Sequence, residues 1–266
     1  MIFYLILSPF VSCIPTGQHS VRVPYEERKI EIPTWFIQKP KISGLDLSYA
    51  YCSQYNDKER ELNELLMSAA KNFKIANQTR MIIMQEGLIH ADRTIGGTQV
   101  TECEVSFDKN NLSDNYKIIS QFPVGKGILA IAAKTSQLKM GFIPKFTNRL
   151  KVLDNYSPPK WAITPPSKKG YVYGLGLAPD YSSPEKAWSV AEQNARADIV
   201  FQKIVNILDY EGFNQATDFS LQENKGKAWA SCILKNVSII KHGYCKREKT
   251  YYALARMKEA DMKFLN

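Results

Sequence analysis

Two stretches of this chain repeat the same order of features, and this duplication is the strongest constraint on the fold. A tryptophan stands at Trp35 and again 126 residues later at Trp161, each after prolines that favour an extended approach. Each is followed by a strand-like run and then by an amphipathic helix pattern. Each stretch closes with two further strand-like runs, which predict a hairpin. We therefore expect an α+β fold with two related domains, each a long helix packed on a small antiparallel sheet.

The two predicted helices have clear start signals. Asp57 or Asn56 can cap the first helix, and Ser183 can cap the second, with Pro184 at its first helical position. Each helix carries one apolar stripe with the spacing of a single helical face. The first stripe consists of Leu62, Leu65, Leu66, Ala69, Ala70 and Phe73, and the second of Ala187, Ala191, Ala195, Ile199 and Val200.

Gly174 and Gly176 lie inside a predicted strand of the second copy. They could be read as a phosphate-binding turn, but the third glycine of that motif is absent and Pro179 follows. A glycine in a strand lets another backbone approach closely. We therefore expect the second helix to cross directly over this strand through its small residues, Ala187, Ala191 and Ala195.

The same pattern sets the domain boundaries. We expect a first α+β domain at 32–136, a connector at 137–157 and a second α+β domain at 158–266. Leu150 to Leu153 could add edge structure within the connector. The final hairpin is expected to turn near His242 to Lys246, and the helical spacing of Trp229 and Cys232 predicts a short helix before it.

The first thirteen residues indicate export and lipid attachment. An apolar run of signal-peptide length ends in Phe10-Val11-Ser12-Cys13, which resembles the bacterial lipobox, in which the cysteine receives lipid. Phe10 replaces the usual leucine, and no Lys or Arg precedes the run. We expect 1–13 to be a lipoprotein signal segment, with palmitate-type acylation at Cys13, and 14–31 to be a tether. The alternative is a buried first strand with Cys13 as an ordinary thiol.

Four separated features of the second half occur in an order typical of a known family. They are Pro159-Lys160-Trp161, Tyr173-Gly174-Leu175-Gly176, the alanines at 187, 191 and 195 with Arg196-Ala197-Asp198-Ile199, and Thr250-Tyr251-Tyr252-Ala253-Leu254-Ala255-Arg256-Met257. In these features residues 158–257 resemble the Lpp-twenty family of bacterial outer-membrane lipoproteins, with a diverged copy at 32–135 that lacks the Gly-x-Gly and the Ala-Arg. The resemblance implies an α+β fold, a location in the cell envelope, a role in an outer-membrane or flagellum-associated assembly, and no catalytic chemistry.

Composition disfavours several other functions. Three widely spaced histidines and five cysteines without metal-ligand spacing predict no metal site, no cofactor and no catalytic residues. His90 and Asp92 could pair as a base and its orienting carboxylate, but the glycines around them predict a loop. The net charge of +9 favours contact with polyanions, yet no nucleic-acid motif accompanies it, so we expect no nucleic-acid partner. The disulfide pairing of Cys52, Cys103, Cys232 and Cys245 stays open.

We therefore expect a non-catalytic, lipid-anchored protein of the bacterial outer membrane with a structural or protein-interaction role. Its partners would be the membrane, through the lipid on Cys13, and other envelope proteins, through sheet edges or basic and aromatic faces. The alternative is a soluble periplasmic ligand-binding protein or enzyme, which a deep pocket with converging titratable groups would distinguish.

Overall fold

The computed structural model describes residues 30–86, 88–90, 93–95, 98–103, 115–138, 143–153, 156–181, 183–211 and 227–264. Side chains are described throughout these ranges except at 82–103, 203–211 and 227–231. The predicted signal segment, Cys13 and most of the predicted tether lie outside the described residues. Within them, long helices pack on small antiparallel sheets, which confirms the predicted α+β class.

Among the described residues, the first half has two α-helices and eight strands. These are β1 (Ile30–Pro33), α1 (Thr34–Ile37), β2 (Leu47–Ser53), α2 (Lys58–Asn77), β3 (Gln78–Glu86), β4 (Leu88–His90), β5 (Arg93–Ile95), β6 (Thr98–Cys103), β7 (Tyr116–Val124) and β8 (Gly127–Lys134). Asp57 begins α2, because its side chain accepts hydrogen bonds from the backbone N–H groups of Glu59 and Arg60. In the predicted α2 stripe, Leu62 is exposed and the other five residues are buried.

The rest of the chain contains β9 (Leu150–Leu153), α3 (Lys160–Ile163), β10 (Tyr171–Pro179), α4 (Pro184–Glu211), β11 (Lys227–Lys235), β12 (Ser238–Cys245), β13 (Thr250–Lys258) and β14 (Met262–Phe264). All five residues of the predicted α4 stripe are buried. The backbone carbonyl of Ser183 accepts from Ala187, whereas its hydroxyl has no partner among the described residues, so the predicted side-chain cap is wrong.

The same strand order occurs in both halves. One sheet has the order β2–β8–β7 and the other β10–β13–β12, so the strand before each long helix pairs with the last strand of its hairpin. Each hairpin also contains one bulge, between Ile118 and Ser120 in the first and between Ile239 and Lys241 in the second. A bulge at the same place in both hairpins indicates that the halves share their backbone path as well as their topology.

Side chains of each long helix also cap the outer edge of the strand beneath it. In the first half, Tyr51 N–H donates to Ser68 Oγ at 2.9 Å and Asn72 Nδ2 donates to Tyr49 O at 3.0 Å. The second half has corresponding bonds 126 residues later. Asn194 Nδ2 donates to Leu177 O and Leu175 N–H donates to Asp198 Oδ2, both at 2.8 Å. Polar groups of an edge strand are thereby satisfied within the fold.

The helix α4 lies directly on the glycines of β10. A Cβ added at Gly176 would come within 1.8 Å of Ala191 O, and one at Gly174 within 2.0 Å of Ala195 O. Ala187, Ala191 and Ala195 are fully buried against this strand. The close approach expected from the small residues is therefore present.

Trp35 and Trp161 lie in the four-residue helices α1 and α3, which begin directly after Pro33 and Pro159. Two local predictions are wrong. The chain around Trp229 and Cys232 forms strand β11, because antiparallel pairing with β3 overrides its helical spacing. The final hairpin turns at residues 246–249, so His242 lies within β12.

The halves are joined by strand pairing. Strand β9, within the predicted connector, pairs antiparallel with β1, whose first residues fall in the predicted tether. Strands β3 and β11 pair along their whole length in a sheet of order β14–β11–β3–β6. The β4–β5 pairing continues the β3–β6 register, so His90 lies in a strand of a long hairpin and not in the predicted loop.

Replacing Gly176 by alanine tests the helix contact. The new Cβ would collide with helix backbone, which cannot rotate away as a side chain can, and we expect a loss of about 2–3 kcal/mol. Urea unfolding followed by circular dichroism measures it. The matched control is Leu177→Ala, which removes a half-exposed side chain from the next residue of β10. Equal stability of the two variants would contradict the close contact.

Candidate functional site

The residues that the sequence predicted as the structural motif, the two tryptophans, the two strand glycines and the three alanines, do not converge on one site. Trp35 is buried and donates from Nε1 to Asn148 Oδ1 at 3.1 Å, whereas Trp161 is half-buried and its ring meets the edge of Tyr252. Gly174, Gly176, Ala191 and Ala195 form the contact between α4 and β10, and Ala187 is buried one helical turn earlier. This group is structural, and Cys13 lies outside the described residues.

A buried polar centre lies beside that contact and joins the two halves. Glu192 projects from α4, His242 from β12 and Tyr51 from β2. Glu192 Oε1 accepts a hydrogen bond from Tyr51 and faces His242 Nε2 at 2.9 Å. Its other oxygen, Oε2, lies 3.9 Å from an Arg196 nitrogen. Glu192 and His242 are 3% and 1% exposed, so this pair is closed to solvent.

Both ring nitrogens of His242 face hydrogen-bonding partners. Nδ1 lies 2.8 Å from the carbonyl oxygen of Phe36, which can only accept, so Nδ1 carries a proton. Nε2 lies 2.9 Å from Glu192 Oε1 and 3.4 Å from the Tyr51 hydroxyl. His242 and Glu192 therefore form a buried salt bridge when the ring carries its second proton.

The pKa values of the surrounding groups agree with this pairing. Burial raises the pKa of the Glu192 carboxyl, but the hydrogen bond and charge of His242, together with Arg196 and Tyr51, hold it below the ordinary value of 4.5. Burial and the neighbouring Glu192 charge raise the pKa of Tyr51 well above 10.0. Glu192 is thus ionised, and Tyr51 keeps the proton that it donates.

Aromatic rings enclose the ion pair. The Phe36 ring stacks on His242, with ring centroids 4.1 Å apart and planes within 6°. Tyr49 and Trp188 meet the Phe36 ring edge-on, and the Tyr49 hydroxyl donates to the Phe36 carbonyl at 3.2 Å. Because Glu192 and His242 are buried among these rings, the centre can hold the two halves together, and among the described residues the cavity that reaches Glu192 measures only about 20 Å³.

An open cleft lies close to Tyr49 and is linked to it by Lys39, whose ammonium lies 5.8 Å from the centroid of the Tyr49 ring. It has a volume of about 570 Å³ and is lined by the segment after α1, the end of α2, the start of β12 and Arg256. Lys39 lines both this cleft and a small neighbouring cavity that contains Glu192 and Arg196. Burial lowers the pKa of Lys39 to about 8. The cleft therefore combines a half-buried amine with access from solvent.

The cysteines form no site in the described part of the chain. Cys52, Cys232 and Cys245 are buried free thiols. Burial is the largest factor that raises the pKa of Cys52 and Cys232, each to about 12, so neither is a thiolate at neutral pH. The strand β11 places Cys232 opposite Met81 and Phe264. Among the described residues, no group of three His, Cys, Asp or Glu could hold a metal ion.

The polar centre was missed from the sequence because its members come from three distant segments. Glu192 carried one usable signal. It stands between Ala191 and Ala195 and four residues after Trp188, so it borders the apolar stripe of a helix where an acidic residue needs a buried partner. His242 carried none, since it was assigned to a turn.

Comparisons with known proteins add no assignment. No protein-family model, curated protein or solved structure matches the chain. The resemblance to the Lpp-twenty family therefore remains a prediction from the sequence motifs.

Replacing Glu192 by glutamine tests the buried ion pair. Because its folded pKa lies below 4.5, ionised Glu192 contributes stability that is fully present above that pH and lost as the pH falls through the folded pKa. Glu192→Gln should lose about 3 kcal/mol at pH 7, since one buried charge loses its partner. Its stability should also fall less steeply than the wild type below pH 4.5. Chemical denaturation from pH 3 to 8 measures both effects.

The exposed strand carboxylate of Glu31 supplies the matched control. Glu31→Gln should follow the wild-type profile at every pH. If Glu192→Gln also follows it, the carboxylate is not paired as described.

Proposed function

We propose that this protein is a non-catalytic, lipid-anchored component of a bacterial cell envelope that acts as a rigid platform for other envelope proteins. The proposal rests mainly on one observation. The buried titratable groups Glu192, His242 and Tyr51 are paired with one another where the two α+β units meet. A single apolar core containing Phe36, Trp188 and residues of both sheets surrounds them.

The edges of the sheets support a specific mode of partner binding. Strand addition needs an edge strand with unpaired backbone groups. The outer edges of β2 and β10 carry hydrogen bonds from their own long helices. Strand β7 is the outermost strand of its sheet and has no such cap within the described residues. We therefore propose β7 as the edge on which an envelope protein adds a strand.

Anchoring is supported by the sequence alone. The motif that ends in Cys13 resembles a lipobox, and several acyl chains hold a protein on a membrane far more firmly than one. Among the described residues, no helix is both long enough and apolar enough to span a bilayer.

A second candidate function is ligand binding. The cleft of about 570 Å³ favours it, because this volume falls within the range of small-molecule sites and the half-buried amine of Lys39 lines its wall. A protein could carry such a cleft and still be anchored and non-catalytic.

Metabolic labelling with an alkyne analogue of palmitate tests the anchor. We expect the wild type to be labelled and recovered with membranes, and Cys13→Ala to be unlabelled and soluble, because the acylated thiol is gone. Cys103→Ala is the control and should be labelled like the wild type. Equal labelling of Cys13→Ala would contradict the lipid anchor.

Site-specific photocrosslinking in envelopes tests the partner edge. A photoreactive residue at Gln121, exposed on β7, should give a discrete crosslinked protein. The same residue at Leu177 on β10 should give none, since helix side chains cap that edge. Crosslinks of equal strength at both positions would contradict the assignment of β7.

A further inference from the structure

The cleft beside Tyr49 is built by both halves of the chain. The first half supplies the segment 38–47 and the end of α2, and the second supplies the start of β12 and Arg256. The segment is fixed to β12, because Lys39 N–H donates to Ile240 O at 3.2 Å and Gln38 pairs with Lys241. Backbone hydrogen bonds therefore hold the walls of the cleft in place, and the cleft is preformed.

The charge in the cleft is strongly positive. Lys39, Lys41, Lys241 and Arg256 line it, against the single carboxylate of Asp46. That carboxylate already accepts a hydrogen bond from Gln137 at 2.8 Å and lies 4.0 Å from the Lys134 ammonium. Neither Lys41 nor Lys241 forms an ion pair within the described part of the chain. Four cations thus face a space in which no unpaired carboxylate balances them.

The uncharged residues that line the cleft suit an organic ligand better than a bare ion. Asn77, Asn236 and Ser238 supply amide and hydroxyl groups, while Phe73, Val237 and Ile240 supply apolar surface. Sites for small molecules combine an apolar wall with a few charged or polar groups in this way. Lysine and arginine together bind phosphate oxygens well, arginine by its planar fork and lysine as a compact charge.

We propose that this cleft binds a phosphate-bearing small molecule or headgroup, with the phosphate held by Lys39 and Lys241. Arg256 adds positive charge from the neighbouring strand, where its guanidinium lies 5.2 Å from the centroid of the Tyr171 ring. Glu192 does not oppose phosphate binding, because its charge is balanced by His242 and Arg196 and it lies in the separate small cavity. The proposal rests on the second candidate function, ligand binding in this cleft, and names its ligand class. It does not depend on the lipid anchor or on the β7 edge, which labelling and crosslinking test separately.

Binding should depend on pH in a defined direction. Lys39 faces Tyr49 on β2, Glu192 and Arg196 on α4, Arg256 on β13 and Asp46 on its own segment. Burial, with a smaller contribution from Arg256, leaves its pKa at about 8 despite the opposing carboxylates. A bound phosphate favours the protonated amine, so affinity should fall as the pH rises above about 8.

Calorimetric titration at pH 7 with inorganic phosphate, with glycerol 3-phosphate and with phosphatidylglycerol vesicles tests the site. We expect saturable binding, weakened at least tenfold in Lys39→Gln and in Lys241→Gln. Lys126→Gln is the matched control, since it removes the same charge from an exposed hairpin turn. It should bind like the wild type, and thermal melting should show that all three variants are folded.

If the wild type binds the soluble phosphates and both cleft variants, Lys39→Gln and Lys241→Gln, do not, the ligand class would be a free phosphate compound. If the two cleft variants lose binding to the phosphatidylglycerol vesicles only, the ligand would be a lipid headgroup at the same cleft. Absence of binding to all three probes would overturn the proposal. Weakening by Lys126→Gln to the same extent as the cleft variants would also overturn it, because it would show general attraction to a basic surface.

Discussion

The ion pair between Glu192 and His242 is the interaction on which the junction of the two halves depends. It bridges α4 and β12, and through the Tyr51 hydroxyl and the Phe36 carbonyl it extends to the first half. A buried charge without a partner is very costly, so the two sheets are held where all four groups meet. The network adds to the strand pairs β1–β9 and β3–β11, which also join the two halves.

The junction shows how a duplicated scaffold becomes asymmetric. Positions 126 residues apart serve the same backbone role but carry different side chains. Trp188 and Glu192 on α4 correspond to Leu62 and Leu66 on α2, and Leu62 is exposed where Trp188 is fully buried. Only one of the two equivalent helix faces can therefore receive the other half. The polar centre follows from this difference, and so does the cleft beside it.

The sequence predicted those features that are local or repeated. The α4 stripe, the Asp57 cap and the close contact at Gly174 and Gly176 follow from spacing and residue size, which are visible in a short window. Features made by pairing of distant segments were not predictable. Strand β11 was expected to be partly helical, and the environment of His242 depends on a carbonyl at Phe36 and a carboxylate at Glu192. Nothing within ten residues of His242 encodes either partner.

The same constraint explains why the cleft lies where it does. The core at Phe36 and His242 is filled, so the chain leaving α1 must pass over Tyr49 and along β12, where Lys39 N–H meets Ile240 O. This path sets Lys39 and Lys241 on two walls of one open space, with Arg256 on the neighbouring strand. Cations gathered in this way repel one another, which disfavours the folded state unless something offsets the repulsion. An anion in the cleft would offset it, whereas the paired Asp46 supplies too little negative charge to do so.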